Sequence, residues 1–596
     1  MSAEGAATVT RRPSDPAGAT AEQTRRGRRR WALAFVLGWL AQVGVRVWLA
    51  SGQTLPVATP DESGYLFAAR VLTGGPDADM SYGTVYRAGY PLLLVPAFWF
   101  GDDPVTVYRG ALVINALISA SMLPLAYLLL RGLNVAARPA YLFGHVTALL
   151  PGVLFYSLFV LTDAILPVLV VGWLLLAHAW LAAPRAPEGR GAVRLALYGT
   201  GASLLVGFAY ASHSRGAILI VVHAVVLLAG ALLRLRSWRA TTLAGAAAAA
   251  AGLAGALLNR AVIIPHLYPA GDNDLGGNLA ERLTTVDGWG WTLSLGTGQV
   301  WYQAVATGGV AAIGLAAAVF AVVRRDASAP VRVLALGVLA TVAGTALATS
   351  AALPVEYRIG NYVYGRYLAC VTPVLFAAGV AVLLRAPRRT LARAVASAAA
   401  LTVLAACVVQ WYAGDLLSEY TFTIYDFPET SFLTWDWDSF HLWHATLAGL
   451  AVLAVAAAAV LLPRHGAPVL AAVLAAVALA MTVTAVDRIA RPLVAEQTAE
   501  TDLRGSVDLR AQGSIAVDWN VPWTMRLSHY FWAWWSEGTL FDSRWTPPPQ
   551  DAYMIVLAWP GDVPATDSWP GGAPSGWEVV DSRRTPEGNW VAWARG

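Results

Sequence analysis

Residues 25–50 read RRGRRRWALAFVLGWLAQVGVRVWLA. Five arginines (Arg25, Arg26, Arg28, Arg29 and Arg30) stand directly before a predominantly apolar run from Trp31 to Ala50. As a helix that run is about 30 Å long, the thickness of a bilayer's hydrocarbon core. It is long for a signal-peptide core, and no small-residue cleavage site with a soluble domain follows it. It therefore reads as a retained transmembrane helix. A basic tract holds its end of a span on the cytoplasmic side, so the chain after Ala50 emerges on the outer face.

The rest of the chain repeats the pattern. Of 596 residues, 57% are hydrophobic and only 13% charged, which excludes a soluble globular protein. Further spans fit at about 105–130, 138–158, 161–183, 193–212, 216–233, 240–264, 301–323, 331–351, 366–384, 391–413, 441–462 and 467–486, making roughly thirteen. Starting inside, the cytoplasmic connections hold Arg131 and Arg138; Arg185, Arg190 and Arg194; Arg234, Arg236 and Arg239; Arg324, Arg325 and Arg332; Arg385, Arg388, Arg389 and Arg393; and Arg464. The outer segments 51–104, 265–300, 352–365 and 414–440 are long and acidic or aromatic. The net charge of +4 thus reports topology and not nucleic-acid binding. An odd span count leaves the last 110 or so residues outside. Three regions are expected: 1–30 a disordered cytoplasmic tail, 31–486 a transmembrane domain, and 487–596 an extracytoplasmic domain in a multi-pass plasma-membrane protein. Cys370 and Cys407 both fall within spans and suggest no disulfide framework. There is no CxxC, HExxH or P-loop.

Chemistry concentrates in the outer segments. Asp61-Glu62 follows the first span and opens a stretch to Leu72 whose apolar residues recur at helical spacing, as in a short helix lying on the membrane surface. Either Asp61 or Thr59 also suits that helix as an N-cap. Tyr86-Arg87-Ala88-Gly89-Tyr90-Pro91 then leads into an apolar run, 92–100, too short to cross. Asp163 sits among apolar residues at a sharp outer turn, where an acid needs a partner, a metal or a ligand, or serves as an N-cap. Arg215 and Arg366 occupy outer span ends, against the positive-inside trend. A guanidinium's planar fork suits a phosphate; interfacial snorkelling between Tyr364 and Tyr367 is the other reading of Arg366. His213 and His266 lack spaced metal-binding partners, and hydrogen-bonded structural roles suit them better.

The stretch Asp61-Glu62-Ser63-Gly64-Tyr65-Leu66-Phe67-Ala68-Ala69-Arg70-Val71-Leu72 resembles the first outer loop of the GT-C superfamily of membrane glycosyltransferases, in particular bacterial aminoarabinose transferases and protein mannosyltransferases. In those proteins the loop carries D-E, a Tyr three residues after the Glu, and Ala-Arg before an apolar pair. Thr162-Asp163 is similar to the acidic position of their second outer loop, often T-E. Ser214-Arg215 is similar to an arginine at the outer end of a central span, and Gly365-Arg366-Tyr367 with Pro373 resembles the segment that meets the donor phosphate. The likeness covers about the first 385 residues. It implies a polytopic all-α membrane fold of GT-C type and a polyprenyl-phosphate sugar as donor. It also implies a cell-envelope glycan, lipid or protein as acceptor. Some actinobacterial relatives are arabinofuranosyl- or mannosyltransferases. Asp61 takes the role of catalytic base; Glu62 positions it or meets the acceptor; Asp163 does either, or helps bind a cation. Arg366 and Arg215, with Tyr364 and Tyr367 beside them, contact the donor. Relatives differ over metal, so a divalent cation is left open and no other cofactor is implied.

The tail reads as a small α/β domain. Strands are expected at 513–519, 540–545, 552–559, 577–582 and 590–594, with a helix over 523–535. Its tryptophans, Trp519, Trp523, Trp532, Trp534, Trp535 and Trp545, suit sugar stacking, interfacial anchoring or a small aromatic core. The whole is read as an inverting glycosyltransferase. A transporter or flippase of a lipid-linked sugar, or a non-catalytic glycan-binding scaffold, are the rival classes. The first needs charge along the spans. The second leaves the outer acids and arginines without a purpose.

Overall fold

Apolar runs bounded by arginine-rich turns fold as the sequence predicts. The computed structural model describes residues 16–185, 188–273, 275–462, 464–506, 508, 511 and 513–595. Among them, nine helices are long and apolar enough to cross a membrane. Three more candidates are broken pairs: Ala137–Ala148 with Pro151–Leu158, Val286–Ala306 with Val310–Val323, and Gly360–Leu368 with Thr372–Arg385, bent by 60°, 118° and 75°. Together with the 17-residue helix Gly216–Leu232 they fall one for one on the expected spans. The breaks have local causes. Pro151 stands at the first, and Gly308 and Gly309, at φ 54° and 75°, make the second.

Two expectations about the membrane domain change. The first helix runs from Pro16 to Leu49, so residues 16–30 continue it instead of forming a disordered tail; residues 1–15 lie outside the described set. Segment 265–300 is not simply a loop: it holds the helices Leu275–Thr284 and Val286–Ala306. The latter ends just before the sharp turn at Gly308 and Gly309. Near its start, the Trp291 indole N–H donates to the Ser350 carbonyl at the outer end of a span; near its end, Tyr302 donates to Glu429 in segment 414–440.

The C-terminal region is a five-stranded mixed sheet. Its strands are β1 (Ser514–Asp518), β2 (Glu537–Phe541), β3 (Met554–Ala558), β4 (Trp577–Arg584) and β5 (Asn589–Arg595), in the order β2-β1-β3-β5-β4. β1 pairs in parallel with β2 and β3, and the remaining pairs are antiparallel. The helix Trp523–Trp532 makes the β1-to-β2 crossover. Trp532 and Trp534 are buried core residues, whereas Trp545 is 81% exposed.

This domain sits on the helix Asp61–Leu72 and so lies on the same side of the spans as Asp61. Phe67 packs on Tyr530 and Trp534. Arg70, fully buried, donates to the carbonyls of Trp534 (2.5 Å) and Asp77 (3.0 Å). Gly538 of β2 exchanges backbone hydrogen bonds with the loop: Gly538 N–H to Asp77 O (2.9 Å) and Asp79 N–H to Gly538 O (2.8 Å). The helix therefore does not lie exposed on a membrane surface. Residues 62–71 are buried all round, between the spans and the tail. The run 92–100 does face outward, as helix Gly89–Leu94 and the turn Val95–Trp99, with Trp99 and Phe100 exposed.

Candidate functional site

Asp61 is the first residue of its helix, and it does not cap it. The cap position is Pro60, which makes no side-chain bond, and Thr59 donates weakly to Val57 O instead. The Asp61 carboxylate is held from two sides. Tyr86 O–H donates to Oδ1 at 2.9 Å, and Arg366 Nη2 donates to Oδ2 at 2.7 Å. Tyr86 reaches it by crossing over Gly64, where any Cβ would lie 2.0 Å from the tyrosine ring. Of the three acids singled out in the sequence, Asp61 alone meets water, its side chain being 31% exposed.

Asp163 does not cap its turn either. Its side chain is 1% exposed and bridges the two arginines: Arg215 Nη2 to Oδ1 at 3.0 Å, Arg366 Nε to Oδ2 at 2.9 Å. Arg366 also donates to the Tyr364 hydroxyl at 3.3 Å and lies 5.9 Å from the Tyr156 ring. Arg215 donates to the carbonyls of Arg366 and Tyr367. At Gly365 the chain presses against the Tyr302 ring, 2.1 Å from where a Cβ would stand. So Arg366 is buried and fixed, not snorkelling, and Tyr364 and Tyr367 orient the two guanidiniums. The result is a chain of alternating charge, Asp61–Arg366–Asp163–Arg215, drawn from four separate outer segments. It sums to zero, and Arg366 has three of its five N–H groups engaged by these contacts.

Glu62 stands differently from its neighbour. Successive helical residues point about 100° apart, so Asp61 faces the cleft and Glu62 the core. Glu62 is 0% exposed. Oε1 accepts from the Val57 and Ala58 amides (2.9 Å each), and Oε2 from Tyr108 O–H and the Val160 amide (2.7 Å each). Burial pushes its pKa up, and those four donors oppose the shift. It has no exposed surface and every contact is to an internal donor, so that it ties the loop before Asp61 to the turn before Asp163.

Sequence reasoning passed over Arg87. Its guanidinium donates to Tyr210 O at 2.8 Å, stacks on the Tyr210 ring at 4.4 Å, and acts electrostatically on His213. Among the described residues no carboxylate pairs with it. Nothing in the sequence sets it apart from other outer-segment arginines. His213 is structural: its Nδ1 accepts from the Arg215 amide at 3.0 Å, and burial with adjacent Arg215 holds its pKa well below the ordinary value. Arg46, within the first span, was also overlooked; it is closed off by Gln42, Ser119 and Ala148 O. Among the described residues no group of three or more His, Cys, Asp or Glu is placed to hold a metal ion. Both oxygens of Asp163 already serve arginines.

Beside this cluster lies an apolar groove of about 320 Å³, walled by Leu92, Leu204, Phe208, Ala211, Ala254 and Leu258. Its lining includes Ala211, four residues before Arg215, and is drawn from the helices Gly89–Leu94, Arg190–Ser212 and Trp238–Leu258.

No family model matches the chain, and no curated protein matches it by sequence. Two solved structures resemble it in fold. Both are of ArnT from Cupriavidus metallidurans, one bound to undecaprenyl phosphate (TM-score 0.51) and one in the apo state (TM-score 0.49). Each is 15% identical, with 95% of this chain and 98% of the other covered. The former shows a shared fold over nearly the whole length of both chains.

Proposed function

We propose that this protein is an inverting glycosyltransferase that moves a sugar from a polyprenyl-phosphate donor to a hydroxyl of an envelope acceptor on the outer face of the plasma membrane. The observation that carries the reading is the single water-exposed carboxylate of Asp61, fixed by Tyr86 and Arg366 at one end of a buried arginine–aspartate chain. The apolar groove beside Arg215 and Arg87 has the shape and lining a polyprenyl tail needs. The fold-sharing ArnT was solved with undecaprenyl phosphate, which supports the same class of lipid here.

The chemistry follows from the charges. The resting cluster is neutral, so a donor phosphate brings uncompensated negative charge, and Arg87 is the added cation beside it. Free N–H groups of Arg366 donate to the phosphate oxygens, more strongly as the anomeric C–O bond breaks, while Arg215, whose N–H groups are engaged by Asp163, His213 and the carbonyls of Arg366 and Tyr367, adds positive charge. Asp61 takes the proton of the acceptor hydroxyl, whose oxygen attacks the anomeric carbon from the face opposite the phosphate. The new glycosidic bond forms, the electron pair of the old bond leaves on polyprenyl phosphate, and configuration inverts. Tyr86 holds Asp61 in line, and Asp163 holds both arginines. The arginine-rich connections on the far side of the spans support a site outside the cytoplasm. An arabinofuranosyl or mannosyl donor is the finer expectation. Incubating purified protein with polyprenyl-phosphate arabinose, mannose and aminoarabinose and a set of envelope acceptors, with mass spectrometry of products, tests it. A glycosylated acceptor and released polyprenyl phosphate are expected. Release of neither, with every donor, contradicts it.

A further inference from the structure

Segment 414–440 builds a second feature outside the charged cluster. Thr434, Trp435, Asp436, Trp437 and Asp438 line an open cleft of about 760 Å³, together with His441, His444, Arg488 and Ile424. Trp435 is 64% exposed although its neighbours are packed. Trp437 stands 6.4 Å from it at 76°, and its buried indole N–H has no hydrogen-bond partner among the described residues. Asp436 is occupied in holding the wall: it accepts from the Asp438 and Ser439 amides, the Ser439 hydroxyl and the His441 ring. Asp438 is exposed and has no ion-pair partner among the described residues.

One residue of this lining, Ile424, leads toward the charged site. Ile424 lines the cleft, while the next residue, Tyr425, packs on Phe155, Tyr156 and Phe159 at 5.3–6.0 Å. Tyr156 in turn faces Arg366 at 5.9 Å. Tyr425 and Tyr156 therefore stand between the cleft lining at Ile424 and Arg366.

We propose that this cleft is a saccharide-binding subsite that takes neutral sugar rings of the acceptor next to the transfer site. A sugar ring has an apolar C–H face and a rim of hydroxyls. The exposed indole of Trp435 offers a flat apolar surface for the first. For the hydroxyls the cleft offers acceptors (the Asp438 carboxylate) and donors (the Trp437 N–H and the Arg488 guanidinium). That mixture suits no simpler ligand class: a hydrocarbon leaves the charges unsatisfied, and a polyanion meets two aspartates against one arginine. The identity of the glycan as acceptor rests on the proposed sugar transfer; its binding does not.

The test uses the full chain purified in detergent, without donor. Saturation-transfer NMR is run with linear hexasaccharides of mannose, glucose and arabinose, with a hexauronate, and with a trilysine peptide. At least one neutral hexasaccharide is expected to bind and the hexauronate not to. Trp435→Ala is expected to weaken binding about tenfold, the order of a lost ring contact, with Trp435→Phe keeping most of it and Asp438→Asn losing about threefold. Trp435 is exposed, so these variants stay folded. Binding of no neutral saccharide, equal binding to Trp435→Ala, or binding of the trilysine peptide alone overturns the proposal. Saccharide binding that persists in a protein inactive with every donor overturns the transfer reading and leaves the subsite standing.

Discussion

Replacing Arg366 with lysine separates geometry from charge. The guanidinium spans two carboxylates at once, with Nε on Asp163 at 2.9 Å and Nη2 on Asp61 at 2.7 Å, and a third N–H on Tyr364. An ammonium donates from one point and cannot reproduce that fork. At least one charge-assisted bond is lost, worth about 1.5–3 kcal/mol, along with the weaker bond to Tyr364. At about 1.4 kcal/mol per tenfold, a loss of about 2–3 kcal/mol lowers kcat/KM for the donor roughly 30- to 150-fold. Folding is expected to persist, because Asp163 keeps Arg215 at 3.0 Å. Steady-state transfer with a radiolabelled polyprenyl-phosphate sugar, beside a thermal unfolding curve in the same detergent, measures both. A variant within threefold of wild type in kcat/KM refutes the assignment of Arg366 to the donor phosphate.

Three further outcomes are expected. Arg87→Ala weakens donor binding about tenfold, near the loss of one charge-assisted contact, with Arg87→Lys partly restoring it; titration calorimetry with polyprenyl phosphate reads this. Arg70→Met leaves the Trp534 carbonyl without its donor and the Asp77 carbonyl with the Gly538 amide alone and costs about 1–3 kcal/mol, seen as a lower Tm and faster proteolysis of the tail domain. Burial raises the Asp426 carboxyl from 3.8 to about 6. A carboxyl with a folded pKa above its unfolded one favours the folded state below about pH 4 and loses that contribution as pH rises through 6, here about 3 kcal/mol. Stability of wild type measured from pH 4 to 7.5 therefore declines more than that of Asp426→Asn.

The spans were legible because apolar runs of membrane length, alternating with arginine-rich turns, leave few other folds. Asp61, Asp163, Arg215 and Arg366 were legible for a related reason. Each stands at a span end on one side, and charge in such places needs partners; the structure makes them partners of one another. The different fates of Asp61 and Glu62 were not legible. Neighbouring acids look equivalent in a sequence, and the 100° between them on the helix becomes decisive only when the packing of both faces is known. The burial of 61–72 was hidden for the same reason: the tail that covers Phe67 and Arg70 lies more than 400 residues away, with nothing local to announce it. In the tail the strands fell close to expectation, except that β2 begins at Glu537, earlier than expected, because Gly538 must pair with the loop at Asp77 and Asp79. Arg87 escaped notice because its value lies in what it lacks, a carboxylate partner, which only coordinates reveal.

The central claim is that Asp61 removes the acceptor proton. Asp61→Asn keeps the shape of the side chain and an acceptor oxygen for Tyr86 or Arg366, but it is no base. Single-turnover transfer from a bound polyprenyl-phosphate sugar is the direct measurement, made beside donor affinity and thermal stability. The expected result is a fall in the transfer rate of at least about 100-fold, with donor affinity and folding close to wild type. Transfer at a near-normal rate in Asp61→Asn, above all if Asp163→Asn abolishes it, contradicts the account and moves the base to Asp163.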